Sequence, residues 1–246
     1  MPFADHVFDH TPALRGRITP PDISEMRFGL DRFAELDAQA KLEGWPPGWR
    51  MDHTEREANR LSVLGDRLNR DLWVFAYGSL IWDPAVQVEE YRYGALAGWQ
   101  RSFCMRLEGG RGSHERPGLM AALDEGGRCD GVVFRIAADL VDQETQFMWC
   151  REMFSGSYRP VFLDVDTPQG AVNALVFVMD RDNRRYTPGL PEEDAARIIA
   201  VAEGNLGTNF DYLASLVRHL DDLGIRDEHM HQLHERALIF RQSRQG

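Results

Sequence analysis

Cysteine is scarce in this 246-residue chain: three residues, Cys104, Cys129 and Cys150, with no CxxC pair among them. An odd, widely spaced set excludes a disulfide framework and a zinc knuckle, and it fits a reducing compartment. Basic runs are absent too. Lysine and arginine number 28 against 39 aspartates and glutamates, a net charge of −11, which argues against nucleic acid as a partner. The longest clean apolar run, Ala174 to Met179, falls far short of the ~20 residues that a membrane span takes. The first 30 residues alternate apolar with charged and hold no continuous apolar stretch of the signal-peptide kind. The expectation is a soluble cytoplasmic protein with no membrane or nucleic-acid partner.

Several catalytic motifs are also missing. "AEGNLGTN" at 202–209 has two glycines but no GxGxxG after a strand, so no dinucleotide site is expected. His231 and His234 in "DEHMHQLHER" stand at i, i+3 without the HExxH logic of a zinc site, and a polar helix face explains them. Cys104 in "RSFCMRL" has the apolar neighbours of an inert, buried thiol. None of these three stretches supports a metal, dinucleotide or thiol site.

What is present falls into three zones without an internal repeat. Residues 1–70 are charged and helix-like. Ser24 to Gly44 carries Met26, Phe28, Leu30, Phe33 and Leu36 in a loose amphipathic pattern that Pro46-Pro47-Gly48 breaks. A second helix opens at a capping box, Thr54-Glu55-Arg56-Glu57. This zone reads as a helical extension, either an arm docked on its own chain or a surface for a protein partner. From Leu72 to Val178 the texture is strand-like, with segments at Leu72–Tyr77, Gln100–Leu107, Leu119–Leu123, Asp130–Ile136, Val161–Val165 and Ala171–Met179. One helix interrupts them, capped at Asp139 and running to Phe154. The last zone holds three helices. The first has Pro191 at its first position and ends at Gly204, the second runs from Thr208 to Leu223, and the third from Asp227 to Phe240. Strands in the middle and helices at the ends make the chain α+β.

Three stretches could carry chemistry. "VFAYGSL" runs as a buried strand into Tyr77, Gly78, Ser79 and Leu80, where a positive φ at Gly78 would turn backbone N–H groups outward for an anion. A plain tight turn explains the same residues. "WCREMFSGSYRP" places Glu152 at the edge of an apolar helix face, where partial desolvation would raise its pKa and suit it to proton transfer; a surface charge pair with Arg151 is the other reading. "GRGSHERPGLM" is a Gly/Pro-rich loop with Arg111 and Glu115, either a pocket loop or a solvated connection.

Taken together, "WVFAYGSLIWDP", "GWQRSF", "RGSHERPGLM", "CDGVVFRI", "REMFSGSY" and "EGNLGTNFDYLASLVRHLDDLGIRD" occur in order from Leu72 to Leu238. In this series the chain resembles the ChaC-type gamma-glutamylcyclotransferases, which act on glutathione. The resemblance implies a gamma-glutamylcyclotransferase-like mixed β-barrel with flanking helices over 71–246, and says nothing about 1–70. It implies that Tyr77, Gly78, Ser79 and Leu80 cradle a gamma-glutamyl group, that Glu152 is the catalytic acid/base and that Tyr158 lines the pocket. Gly156-Ser157-Tyr158 departs from the family's Gly-Gly-Tyr. The implied reaction closes the glutamyl α-amine onto its own γ-carbonyl, giving 5-oxoproline and Cys-Gly, so no protein nucleophile is required and no metal or organic cofactor is expected. Two alternatives stand beside it: a cyclotransferase for other gamma-glutamyl amines or amino acids, and a non-catalytic regulator that binds a small metabolite in the same cradle.

Overall fold

The computed structural model describes residues 3–45 and 47–243, so Pro46 of the expected Pro46-Pro47-Gly48 break lies outside the described residues. Two compact units divide the chain, Met1–Gly94 with Val132–Phe177, and Ala95–Gly131 with Val178–Gly246.

The first unit begins with helices α1 (Leu30–Glu43) and α2 (His53–Leu64). Gly44 closes α1 at φ 68°, a left-handed position that glycine occupies without steric cost. The expected start at Ser24 is too early. Ser24 Oγ accepts from Met26 N–H and donates to Asp83 Oδ1 at 2.7 Å, which holds this stretch outside the helix. Asp52, one position before α2 and not Thr54, caps that helix by accepting the Thr54 N–H at 2.7 Å.

Strands β1 (Leu72–Ala76), β2 (Glu90–Leu107), β3 (Gly118–Ile136), β4 (Tyr158–Val165) and β5 (Val172–Met179) form a mixed sheet in the order β2-β3-β1-β5-β4. β1 is central, antiparallel to β3 with Leu72 opposite Ile136 and Ala76 opposite Val132, and parallel to β5 with Trp73 opposite Ala174. Val74, Phe75 and Ala76 are fully buried, the uninterrupted apolar run of a strand covered on both faces. In the second unit β3 also pairs directly with β5, Leu123 against Val178.

Two expected strands, Leu119–Leu123 and Asp130–Ile136, are parts of the single strand β3. Between them Gly126 and Gly127 take φ 121° and 61°, bending the strand where a turn was expected. β2 starts at Glu90, ten residues before the expected Gln100. Its first half looks like loop because it is charged and contains glycine, yet Glu90 is paired with Arg92 and Arg135, and Arg92 lies over the Trp73 ring. A side chain at Gly94 would meet Val165 Cγ1 at 2.9 Å, so glycine is required by the close approach.

Helix α3 (Val141–Glu152) has no side-chain cap at Asp139, and it ends two residues before Phe154. In the second unit α4 (Glu192–Val201) takes Pro191 as its cap rather than its first residue. It stops before Gly204, because Glu203–Gly204 (β6) pairs antiparallel with Gly207–Thr208 (β7). Then come α5 (Asn209–Asp222), capped by the Thr208 side chain, and α6 (Glu228–Gln242), capped by Asp227. Among the described residues no helix is long and apolar enough to cross a membrane.

Candidate active site

β1 runs directly into Tyr77, which is buried just past the strand's end. Tyr77 donates its hydroxyl to Phe177 O at 2.8 Å, which ties the strand end to β5. Gly78 then takes φ −132° and ψ −137°, not the positive φ expected of the turn. The reversal comes instead from a single 3-10 turn, Ser79–Ile81. Ile81 N–H donates to Gly78 O and Asp83 N–H to Ser79 O, while the N–H groups of Gly78, Ser79 and Leu80 find no acceptor among the described residues. Three consecutive free donors beside a serine hydroxyl suit an anionic oxygen.

Glu152 ends α3 in the same unit. Its side chain is 12% exposed, and burial pushes the carboxyl pKa up, against the opposing pull of Arg151. Arg151 joins the two pieces. Its Nε lies 3.0 Å from Glu152 Oε1, its Nη2 donates to Ser79 Oγ at 2.8 Å, and its Nη1 donates to Asp83 O. Of the two readings of Glu152, the surface charge pair with Arg151 fails, because Arg151 is buried. The available signal was an arginine at the end of a helix whose neighbours, Trp149 and Met153, are apolar.

Tyr158 opens β4, buried and edge-on to Phe177 at 6.4 Å. Tyr77 and Tyr158 therefore both abut Phe177. The connection from α3 turns at Gly156, φ 64°. Only this glycine needs the left-handed region, so Ser157 replaces a glycine at no conformational cost. Its hydroxyl is buried against Ser155 Oγ at 2.8 Å.

Arg111 and Glu115 lie in the second unit. Arg111 Nη1 reaches Thr208 O at 3.4 Å, and Glu115 is exposed. The base of their loop is clasped by the "AEGNLGTN" segment. Leu206 N–H donates to Gly110 O, Gly110 N–H to Asn205 Oδ1, and the buried Asn209 amide bonds both N–H and C=O of Leu119. A side chain at Gly204 would lie 2.3 Å from Gly110 O and from Gly112 O, so this glycine allows backbone to meet backbone.

Elsewhere, the three thiols are buried, with Cys104 pushed up to about 12 and Cys129 to about 11 by desolvation. His231 bonds Asp227 O and Asp221, and His234 stacks on Phe210. Among the described residues no group of three or more His, Cys, Asp or Glu side chains is arranged to hold a metal.

A mixed sheet with flanking helices, its central strand running into a turn that Arg151 ties to Glu152, is the architecture of the gamma-glutamylcyclotransferase fold. The crystal structure of a yeast glutathione-specific gamma-glutamyl cyclotransferase matches 71% of this chain and 99% of its own with a TM-score of 0.65, at 21% identity. The family model for ChaC-like proteins matches residues 72–238, and the chain belongs to that family. It is 44% identical over 181 residues to the glutathione-specific gamma-glutamylcyclotransferase of Escherichia coli K12, covering 73% of this chain and 78% of that one. Glutathione-specific gamma-glutamylcyclotransferase 1 of Mus musculus is 32% identical over 68% of this chain and 78% of its own.

Proposed function

We propose that the chain is a glutathione-specific gamma-glutamylcyclotransferase with Glu152 as its general acid/base. The observation that carries this reading is the largely buried Glu152 carboxylate, its pKa raised by desolvation, linked by Arg151 to Ser79 of the open turn. In glutathione the glutamate is joined through its side-chain carboxyl. Its α-amine can fold back and attack the γ-carbonyl, which closes a five-membered ring. The C–N bond to cysteine breaks, leaving 5-oxoproline and Cys-Gly.

Both proton transfers fall to one group. Glu152 takes the proton that the α-ammonium must lose, and returns one to the departing cysteine nitrogen. A raised carboxyl pKa brings acid and base forms closer in energy and suits both halves. Open N–H groups at Gly78, Ser79 and Leu80 hold an anionic oxygen of the glutamyl group, with Tyr77 and Tyr158 as the adjacent walls. Fixing the chain in its attacking conformer supplies the proximity term, which for intramolecular attack is large. Arg151 orients the carboxylate and keeps a balancing charge beside it.

The test is to incubate the purified protein with glutathione and measure 5-oxoproline and Cys-Gly. Equal amounts of the two products support the reading. A competition series with gamma-glutamyl-alanine and a gamma-glutamylamine reads the leaving-group preference, and faster turnover of either would displace glutathione as the substrate.

A further inference from the structure

Residues 19–51 lie outside the stretch matched by the family model, yet they grip the candidate site from both sides. On one side Thr19 N–H donates to Trp82 O at 2.8 Å and Ser24 Oγ to Asp83 Oδ1, while the Asp83 carbonyl receives Arg151. On the other, Met51 N–H donates to Phe154 O at 2.8 Å. The Phe154 ring is held between Phe33, stacked at 5.5 Å and 27°, and Trp49, edge-on at 5.5 Å. Arg50 locks this clamp, bonding Asp37 through two nitrogens and Met51 O through a third.

Phe154 is two residues beyond Glu152 and four before Tyr158. The helix ends at Glu152, so the carboxylate's direction depends on where the next residues are anchored. We infer that Trp49, Phe33 and Met51 are positioning residues for the Glu152–Tyr158 connection, making the extension a working part of the catalytic centre rather than a passive cover. The inference rests on the assignment of Glu152 made above. Binding energy in the clamp fixes the backbone on which the acid/base sits, and a displacement of about 1 Å there can cost about 100-fold in rate.

The experiment compares Trp49→Ala, Trp49→Phe and Asn59→Ala with the wild type, in kcat and KM for glutathione, in Tm, and in amide exchange across 153–158. Asn59 also docks the extension, accepting the Trp149 Nε1–H at 2.8 Å, but has no contact with that connection among its hydrogen bonds. Expected is a fall in kcat of about 10-fold or more with little change in KM for Trp49→Ala, with faster exchange at 153–158. Trp49→Phe restores most of the rate, and Asn59→Ala lowers Tm without lowering kcat. If Trp49→Ala leaves kcat and exchange unchanged, or if both alanine variants lose rate in step with Tm, the inference is overturned. A wild type that releases no 5-oxoproline overturns the underlying assignment instead, whatever the exchange data show.

Discussion

The guanidinium of Arg151 meets Ser79 Oγ, the Asp83 carbonyl and the Glu152 carboxylate, which ties Glu152 to the turn after β1 and opposes the effect of burial on its acidity. Burial raises the Glu152 pKa and Arg151 lowers it, with burial the larger effect. In the proposed mechanism the carboxylate takes the first proton, so the acid limb of kcat/KM should lie above the ordinary carboxylate range. In Arg151→Met the opposing cation is gone, the carboxyl pKa rises further, and that limb moves to higher pH. A fall in kcat of about 10–100-fold should accompany it. A pH–rate profile of the two proteins checks the sign. The stability of the wild type runs the other way. A carboxyl whose folded pKa exceeds its unfolded one costs stability as pH rises through the interval between them. Glu152→Gln should therefore be at least as stable as wild type above that interval, as read by Tm at pH 8. The desolvation of Glu152 was legible because its place at the edge of an apolar helix face is a local pattern. Arg151 was not, because its acceptors at 79 and 83 are about seventy residues away in sequence.

At the scale of elements, sequence patterning located every helix of the last zone and the central strand, since caps and apolar runs are local signals. It divided β3 in two, because Gly126-Gly127 is the usual signature of a turn and only long-range pairing keeps the chain extended through it. By its own pattern the "AEGNLGTN" segment was a failed dinucleotide motif, and otherwise it counted only as part of one stretch of the family resemblance. Its role, a clasp on the base of the 110–118 loop, depends on a glycine chosen for the absence of a side chain, and periodicity does not register absence. Gly204→Ala should push two carbonyls apart and destabilise the protein by about 1–3 kcal/mol, measured as a lower urea midpoint at unchanged slope. The loop that carries Arg111 and Glu115 should loosen with it, read as faster amide exchange at 110–118.

For the whole molecule, the α+β class was legible from texture alone. The function of residues 1–70 was not, because its contacts span long sequence separations. Arg27 is the clearest case. Its two terminal nitrogens meet Glu144 at 2.5 and 2.9 Å, and one also donates to Ala85 O. Glu144 is 2% exposed, so removing the cation leaves a buried carboxylate whose remaining bond is the Gln87 N–H. Arg27→Met should cost about 3–5 kcal/mol, the usual penalty for stranding one member of a buried pair, and urea denaturation would measure it. A loss under 1 kcal/mol would mean that the extension is dispensable to the unit it covers.

The central claim is that one buried carboxylate performs both proton transfers of an intramolecular cyclisation. Its most direct test is Glu152→Gln against wild type, assayed for 5-oxoproline from glutathione, with Tm recorded for both. The account requires stoichiometric product from the wild type, and from the variant a rate lower by about 100-fold or more at an undiminished Tm. Substantial turnover by the folded variant would contradict it, and the acid/base would have to be sought elsewhere.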